Sequence, residues 1–314
     1  MSDRILSVTS PGSIAFRDLP PVAPGSAEVA GTTLFSLVSP GTELAVAFDG
    51  SQYGFPLDLG YAAVFRVESA GPTASAWNRD DLALCMGPHA SRQLRPESEL
   101  VLVPPGMDPA LAPFARLMHV PSAVLATSGV RAGAIVGVAG LGTIGQLAVR
   151  VAIASGFEVI AADAAPDRRA LLPAGVSSGA RLPEQSVDLV IECSGHEASV
   201  LASAAALRTG GELALAGVPW KPREAASMHE LTSMVFHRYL TMRSGWEWQV
   251  PWSAPEGEPS IPALLRRALN WLHEGAVDVS GLAERIPADR LPSAHRALRE
   301  RRATKLTYLV DWSA

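Results

Sequence analysis

Hydrophobic and polar residues alternate along this chain in two different ways. In residues 1–116, short apolar or alternating runs are separated by clusters of proline and glycine, which is typical of a β-rich region. From about Arg131, apolar runs of strand length alternate with segments whose apolar residues recur at helical spacing. Strands that alternate with helices indicate a parallel sheet with helices on both faces. The pattern therefore predicts an α/β protein with a β-rich part and a parallel-sheet part.

The β-rich part is predicted to contain short strands, a loop and one helix. The strands are expected at residues 34–38, 62–67, 82–86 and 100–103. The segment SPGTE (39–43) contains proline and glycine between two such runs, and it is predicted to be a loop. Residues 111–124 are more helical in pattern, because Leu117, Val120 and Val124 are spaced to share one buried face.

The remaining elements follow the alternation of strands and helices. After residue 163, the pattern predicts strands at 187–192, 213–217 and 240–243, with helices at 198–207 and 228–236. Residues 246–259 combine tryptophan, proline and charge, which favours a loop. An amphipathic helix at 261–274, a basic helix at 294–301 and a terminal strand at 305–310 complete the prediction.

The stretch AIVGVAGLGTIGQLAVRVAIASGFEVIAAD (134–163) carries the clearest functional signal. An apolar strand leads into Gly140, Gly142 and Gly145, which have the G-x-G-x-x-G spacing, and a helix and a second apolar strand follow. Asp163 closes that second strand, near the separation expected for an acid that binds ribose. Strand, glycines, helix, strand and acid in this order indicate a β-α-β unit that binds a dinucleotide.

Each residue of this unit has a distinct expected role. Gly140 allows the tight turn, Gly142 lets the backbone approach a pyrophosphate, and Gly145 lets the helix pack closely on the sheet. The N-terminus of the helix offers N–H groups to the anion, so the whole turn is expected to bind the cofactor: Gly140, Leu141, Gly142, Thr143, Ile144 and Gly145.

Asp163 bears on the choice between the two nicotinamide dinucleotides. Its carboxylate would accept the hydroxyls of the adenosine ribose and repel a 2′-phosphate, which favours NAD(H) over NADP(H). Arg168 and Arg169 follow closely and offer two interpretations. They either bind a 2′-phosphate, which would admit NADP(H), or begin a solvated helix.

Composition excludes several other classes of protein. The chain has 314 residues, 48% of them hydrophobic, and a net charge of −5. This length suits two domains, and the acidity gives no support for nucleic-acid or anionic-membrane binding. Two cysteines provide neither a disulfide framework nor a multi-cysteine zinc cluster. The N-terminal residues lack the apolar core of a signal peptide, so we expect a cytoplasmic enzyme without a membrane span.

The order of these parts resembles the medium-chain dehydrogenase/reductase superfamily over nearly the whole chain. The segment SLVSPGTEL (36–44) is similar to the one that carries the first catalytic zinc ligand in that superfamily. The segment LGYAAVFRVESAG (59–71) is similar to the one with Gly-His-Glu in its zinc-binding forms. The segments VDLVIECSG (187–195) and GGELALAGV (210–218) resemble later strands beside the nicotinamide, which implies cofactor contacts from Cys193, Ser194, Gly217 and Val218.

The resemblance implies a particular domain organisation and a particular fold. A β-rich, GroES-like catalytic domain would begin at 1–116 and resume at 248–314. A Rossmann-type domain with a doubly wound parallel sheet would occupy 117–247, and the substrate would bind between the two domains. The segment HRYLTMRSG (237–245) resembles the last strand of the cofactor domain, which pairs across a dimer in many relatives, so a homodimer is expected.

The sequence departs from the superfamily at the metal positions. Ser39, beside Pro40, replaces the cysteine ligand, and Gly60-Tyr61-Ala62 replaces Gly-His-Glu. Tetrahedral zinc needs thiolate or imidazole ligands in number, and these positions supply none. We therefore expect no zinc and no metal ligands. SPGTE and the Gly-Tyr pair instead resemble a zinc-free branch that includes bacteriochlorophyllide dehydrogenase.

Five residues are candidates for catalysis. Tyr61 either donates a proton to a substrate oxygen or fills the vacated metal position. Thr42 resembles a residue that relays protons or contacts the nicotinamide ribose, and Glu43 is either a base or, as we favour, a buried structural acid. His89 and His119 are either proton shuttles or structural residues.

These features predict a zinc-independent NAD(P)(H)-dependent oxidoreductase. It would transfer hydride between nicotinamide and a carbonyl or secondary alcohol of a small organic substrate. One alternative is an ene reductase of the enoyl or quinone type, and another is a catalytically silent nucleotide-binding protein.

Overall fold

The structure is a computed structural model that describes residues 3–50 and 54–313. It divides into two compact units. The first unit consists of Met1–Leu117, Leu265–Gly275 and Val279–Ala314. The second unit consists of Met118–Leu264 and Ala276–Asp278, so it continues beyond residue 247.

The elements before the glycine-rich turn are mainly strands. In chain order they are β1 (Arg4–Ser10), β2 (Ser13–Asp18), β3 (Glu28–Leu37), α1 (Pro40–Phe48), β4 (Leu57–Asp58), β5 (Ala63–Ala70), β6 (Leu82–Cys85), β7 (Arg92–Pro96), β8 (Val101–Leu102), α2 (Ala112–Thr127) and β9 (Ile135–Ala139).

The elements after the turn alternate between helices and strands. They are α3 (Thr143–Ala154), β10 (Glu158–Ala162), α4 (Pro166–Arg169), β11 (Ser177–Gly179), β12 (Val187–Glu192), α5 (Glu197–Ala206), β13 (Leu207–Leu215), α6 (Met228–His237), β14 (Thr241–Ser244), α7 (Ile261–His273), β15 (Ala283–Pro287), α8 (Leu291–Arg299) and β16 (Thr307–Asp311).

The first unit is built on two sheets. One is a three-stranded antiparallel sheet in the order β2-β1-β4. The other has seven strands along the path β15-β16-β3-β5-β6-β8, with β7 also paired to β3. Strands from both ends of the chain therefore share one sheet, because β16 pairs antiparallel with β3. One apolar core of this unit includes Val38, Val46, Leu291 and Val310.

The second unit contains a six-stranded, fully parallel sheet in the order β11-β10-β9-β12-β13-β14. Numbered within the unit, this order is 3-2-1-4-5-6, which is the doubly wound order of dinucleotide-binding folds. Its central strands are apolar and buried because helices cover both faces of such a sheet. Val136, Val138, Leu189 and Ile191 lie fully buried in one core cluster. The chain order reverses between β9 and β12, which is where this fold places its ligand.

One prediction of local structure is wrong. The segment SPGTE (39–43) is not a loop, because α1 begins at Pro40 and has Ser39 as its N-cap. Proline is favoured at the first helical position, where its missing N–H costs no hydrogen bond and its φ already suits a helix. The helix is then stabilised by burial of Ala45, Val46 and Ala47.

Within the part of the chain that the structure describes, no helix has both the length and the apolar composition needed to cross a membrane.

Candidate functional site

The glycine-rich turn after β9 is tightly packed at two of its three glycines. Gly140 has φ +86°, in the left-handed region that favours glycine. A Cβ on Gly145 would lie 1.8 Å from the carbonyl oxygen of Gly140, so no side chain fits there. These two glycines are therefore required by the turn and by the close packing of α3 against it.

Gly142 differs from its two neighbours because its surroundings are open. It is the N-cap of α3 with φ −67°, and a Cβ there would meet no heavy atom within 4 Å. The first backbone N–H groups of a helix lack intrahelical partners and attract anions. The space beside Gly142 thus lies at the start of α3, where a pyrophosphate could approach the backbone.

Asp163 is tied to the glycine turn by its carboxylate. Oδ2 accepts a hydrogen bond from the backbone nitrogen of Leu141 at 2.7 Å, and Oδ1 accepts one from Ala165 N at 2.8 Å. The Arg168 guanidinium lies 3.4 Å from Oδ2 and is about half exposed, whereas the Asp163 side chain is 9% exposed. The structure therefore places the acid and one candidate phosphate-binding arginine at the same strand end.

The segments that follow β12 and β13 lie against the glycine turn and against each other. A Cβ on Gly140 would be 2.9 Å from the Cβ of Ser194, and one on Gly217 would be 2.3 Å from Gly195 N. The buried carboxylate of Glu192 accepts hydrogen bonds from the backbone nitrogens of Ser194 and Gly195 at 2.9 and 3.0 Å. The structure thus brings most of the predicted cofactor-binding residues to the carboxyl ends of three neighbouring strands.

Two further predicted cofactor contacts differ in character. Val218 is exposed, which is compatible with a residue that lines an open binding site. Cys193 donates weakly to the carbonyl oxygen of Ile191, and burial raises the pKa of its thiol, with the charge of Glu192 adding to the effect. Little of the thiol is therefore ionised at neutral pH, which makes Cys193 a poor nucleophile.

Tyr61 and Ser39 form a hydrogen-bonded pair in the first unit. The Tyr61 hydroxyl donates to Ser39 Oγ, and the Arg116 guanidinium lies 4.8 Å from the centre of the Tyr61 ring. Burial raises the pKa of the Tyr61 phenol above its usual 10, against the lowering effects of the Arg116 charge and of hydrogen bonds with Ser39 and Thr42. The phenol is therefore a neutral hydrogen-bond donor at physiological pH.

Glu43, His89 and His295 form a buried cluster in the same unit, which we call the acid–histidine cluster. His89 Nε2 lies 3.1 Å, and His295 Nε2 lies 2.8 Å, from Glu43 Oε2. All three side chains are at most 2% exposed. Burial alone would raise the pKa of Glu43, but the charges and hydrogen bonds of the two histidines outweigh it and lower that pKa to about 2. Glu43 is thus an ionised, enclosed carboxylate.

This cluster is linked to the Tyr61–Ser39 pair through the backbone. Glu43 Oε1 accepts a hydrogen bond from Ser39 N at 2.6 Å, which fixes the start of α1. Gly60 has φ +94°, and a Cβ there would lie 2.7 Å from the His89 ring, so glycine is required beside the histidine. Glu43 therefore contacts Ser39 directly, and His89 packs against Gly60, the residue before Tyr61.

Four of the five candidate catalytic residues lie in the first unit and one lies in the second. Thr42, Glu43, Tyr61 and His89 belong to the first unit. His119 belongs to the second unit and is fully buried within α2.

Sequence reasoning missed His295. The signal was present, since Leu291, Ala294 and His295 share the buried face of α8. The sequence pattern predicts a basic helix that begins at residue 294. That prediction omits the first turn of α8, which contains Leu291 and completes the apolar face. A histidine on an otherwise apolar helix face requires a polar partner, and that partner is Glu43.

The donor atoms of the first unit test whether a metal could bind. Ser39 and Tyr61 bond to each other through hydroxyl oxygens and offer no imidazole or thiolate, so the positions implied by the resemblance do not fit zinc. The acid–histidine cluster does fit, because one carboxylate oxygen and two ring nitrogens lie within 4.8 Å of one another. Two imidazoles and a carboxylate are a donor set that zinc accepts.

Comparisons with known proteins extend this picture. No family model and no curated protein matches the chain. Among solved structures, galactitol-1-phosphate dehydrogenase from Escherichia coli is 15% identical with a TM-score of 0.85, covering 98% of this chain and 99% of that one. A proposed zinc-binding dehydrogenase from Sinorhizobium meliloti, bound to NADP, is 20% identical with a TM-score of 0.81, covering 99% of each chain.

A third solved structure belongs to a different chemical class. Quinone oxidoreductase from Pseudomonas syringae is 16% identical with a TM-score of 0.80, covering 98% of this chain and 99% of that one. Together these likenesses confirm the predicted fold class, in which a Rossmann-type parallel sheet is combined with a β-rich, GroES-like part.

The expectation that the chain binds no zinc is wrong. It considered only the positions of Ser39 and Tyr61, whereas the acid–histidine cluster supplies three ligands that could hold a metal. One of the structural neighbours is itself described as zinc-binding. The comparisons do not confirm the interpretation of the chain as a member of a zinc-free branch.

Proposed function

We propose that this protein is an NAD(P)(H)-dependent oxidoreductase that acts on a carbonyl or secondary alcohol of a small organic substrate. The observation that carries the proposal is the parallel sheet in the order 3-2-1-4-5-6, with the glycine turn at its switch point. Gly142 lies open at the start of α3, and Asp163 closes the adjacent strand. This combination supports a dinucleotide site at the carboxyl ends of β9 and β10.

NAD(H) is the cofactor that the charges at this strand end support best. The carboxylate of Asp163 disfavours a 2′-phosphate nearby, because two negative charges would meet in a partly buried place. The exposed Arg168 beside it could offset part of that repulsion, so NADP(H) is the second candidate. When bound, the nicotinamide would supply or accept the hydride.

Tyr61 is the proposed proton donor. Its hydroxyl remains protonated at neutral pH because burial raises its pKa. In the reduction direction it would turn its hydrogen from Ser39 to the substrate oxygen, and the adjacent Arg116 guanidinium would stabilise the phenolate that is left. The reverse transfer would serve oxidation of an alcohol.

Binding and turnover measurements test the proposal in sequence. Fluorescence titration of the purified protein with NADH and NADPH should give saturable binding of at least one of them. Turnover would then be measured across a panel of alcohols, ketones and enones. Failure to bind either dinucleotide would refute the proposal, and binding without turnover of any substrate would favour the catalytically silent alternative.

A second candidate function is the reduction of an activated C=C bond. It is favoured by the likeness to a quinone oxidoreductase. Both reactions use the same cofactor, but the proton goes to carbon in an ene reduction and to oxygen in a carbonyl reduction. Product analysis with an enone substrate distinguishes them, because a saturated ketone indicates ene reduction and an allylic alcohol indicates carbonyl reduction.

The proposed assembly is a homodimer formed through β14. Within the described residues, β14 pairs with β13 and is the last strand in the order of the sheet. Phe236, Tyr239 and Met242 beside this edge are 76%, 77% and 46% exposed. An open edge with adjoining apolar side chains suits pairing with a second copy. Light scattering should give the mass of two chains, and Met242→Lys should shift it toward one. The cytoplasmic location stays a prediction.

A further inference from the structure

We propose that Glu43, His89 and His295 hold one zinc ion inside the first unit and that this ion positions Ser39 and Tyr61. The site goes beyond the proposed function, because it uses neither the dinucleotide site nor the positions where the resemblance places catalytic zinc. It unites three distant parts of the chain: the first turn of α1, the segment between β6 and β7, and α8.

The distances between donor atoms suit an ion after a small expansion. Glu43 Oε2 is 3.1 Å from His89 Nε2 and 2.8 Å from His295 Nε2. Zinc binds such atoms at about 2.0–2.2 Å, which separates the donor atoms of a tetrahedral site by about 3.3 Å. All three donor atoms lie within 4.8 Å of one another, so adjustment of these side chains around Glu43 Oε2 would bring them to one ion.

Both ring nitrogens of His295 face oxygen atoms. His295 Nδ1 lies 2.9 Å from the carbonyl oxygen of Leu291, which accepts but cannot donate, so Nδ1 carries hydrogen. His295 Nε2 faces Oε2 of Glu43 at 2.8 Å. Because the carbonyl of Leu291 engages Nδ1, Nε2 is the ring nitrogen that is available to a metal ion shared with the carboxylate.

The outer nitrogen of His89 is hydrogen-bonded to a serine hydroxyl. His89 Nδ1 lies 2.8 Å from Ser36 Oγ, and Trp312 Nε1 donates to that same oxygen at 2.9 Å. On the other side of the ring, His89 Nε2 faces Glu43 Oε2 at 3.1 Å. Histidine ligands of metals usually donate the other ring N–H to an oxygen in this way, which orients the ring.

The burial of the three ligand side chains indicates a structural role for the ion. The three ligand side chains are at most 2% exposed, so the ion would be enclosed by the protein and would act on the structure of the site. Glu43 Oε1 holds Ser39 N at 2.6 Å, and Ser39 Oγ accepts the hydroxyl of Tyr61. The ion would thereby fix the oxygen that orients the proposed proton donor.

The first test is the zinc content and the thermal response of the wild-type chain. Protein prepared without a histidine tag should contain about one zinc per chain by mass spectrometry. Removal of zinc with a chelator should lower Tm, and zinc at about 100 times its Kd should restore about 5–10 °C. A metal-free protein whose Tm does not respond to added zinc would overturn the proposal. NADH titration of the same samples reports the dinucleotide site separately.

Substitutions then locate the ion. His295→Gln and His89→Gln should each lose the zinc, while His273→Gln, at the exposed end of α7, should retain it. Cobalt in the wild-type chain should give the visible absorption of a tetrahedral site, and that absorption should disappear in His295→Gln. Zinc retained at full stoichiometry in both cluster variants would place it elsewhere and refute the assignment. If these variants fail to fold, the wild-type chelation result alone decides.

Discussion

The carboxylate of Asp163 accepts a hydrogen bond from the backbone nitrogen of Leu141, 2.7 Å away in the glycine turn. The residue expected to contact the adenosine ribose therefore also holds the loop expected to contact the pyrophosphate. A substitution can remove the negative charge of Asp163 and still leave a hydrogen-bond acceptor for Leu141.

Asp163→Asn should relax the preference for NADH over NADPH while it retains an acceptor for Leu141. Loss of the negative charge should improve relative affinity for NADPH by at least about tenfold, which corresponds to ~1.4 kcal/mol. Asp163→Ala should relax the preference equally and also weaken binding of both dinucleotides, because the turn loses its anchor. Fluorescence titration measures both effects. Unchanged discrimination in both variants would contradict the role of the charge.

Gly145→Ala should mainly reduce the stability of the protein, whereas Gly142→Ala should mainly weaken its binding of NADH. A Cβ at Gly145 collides with Gly140 O at 1.8 Å, so this variant should lose about 1–3 kcal/mol or more of folding free energy. A Cβ at Gly142 meets no heavy atom within 4 Å, so the free energy of unfolding of that variant should differ from that of wild type by at most about 0.5 kcal/mol. Its affinity for NADH should nevertheless be weaker than that of wild type. Chemical denaturation and titration with NADH test the pair. Wild-type affinity in Gly142→Ala would show that no pyrophosphate lies there.

Tyr61→Phe should lower kcat by about 10²–10⁴-fold and leave the Kd for the dinucleotide unchanged. The ring and its contact with Arg116 remain, and only the transferable proton is lost. Because the pKa of Tyr61 is raised above 10, the donor stays protonated through the neutral and mildly alkaline range. Its titration should therefore cause no decline in the rate of carbonyl reduction below about pH 10. A variant with wild-type kcat would assign the proton to another group.

Neither cysteine should react with alkylating reagents in the native protein. Burial raises the pKa of Cys85 to about 12, and it also raises that of Cys193, so thiolate is scarce at pH 8. Mass spectrometry after treatment with iodoacetamide at pH 8 should show no adduct on the folded chain and two on the denatured chain. Fast modification of either native thiol would disagree with these pKa shifts.

The cofactor unit could be predicted from the sequence because its signals are local. The strand from Val187 to Glu192 was predicted with the bounds that the structure has, since every residue of an apolar run between turn signals points to the same element. The turn from Gly140 to Gly145 is equally local, because its backbone conformation and close contacts depend on residues a few positions apart. Such local signals fail at Pro40, because a proline can lie in a loop or begin a helix, and here it begins α1.

The acid–histidine cluster could not be predicted in this way. Glu43 and His295 are 252 residues apart in the sequence, and Glu43 and His89 are 46 apart. No spacing rule relates such positions, so the sequence pattern does not predict a metal site from them. The parallel sheet, the glycine turn and its terminal acid are different, because they follow from periodicity and local steric limits. Tertiary structure alone decided that one carboxylate and two imidazoles meet, because only the packing of α1 and α8 in one core brings their polar atoms within bonding distance.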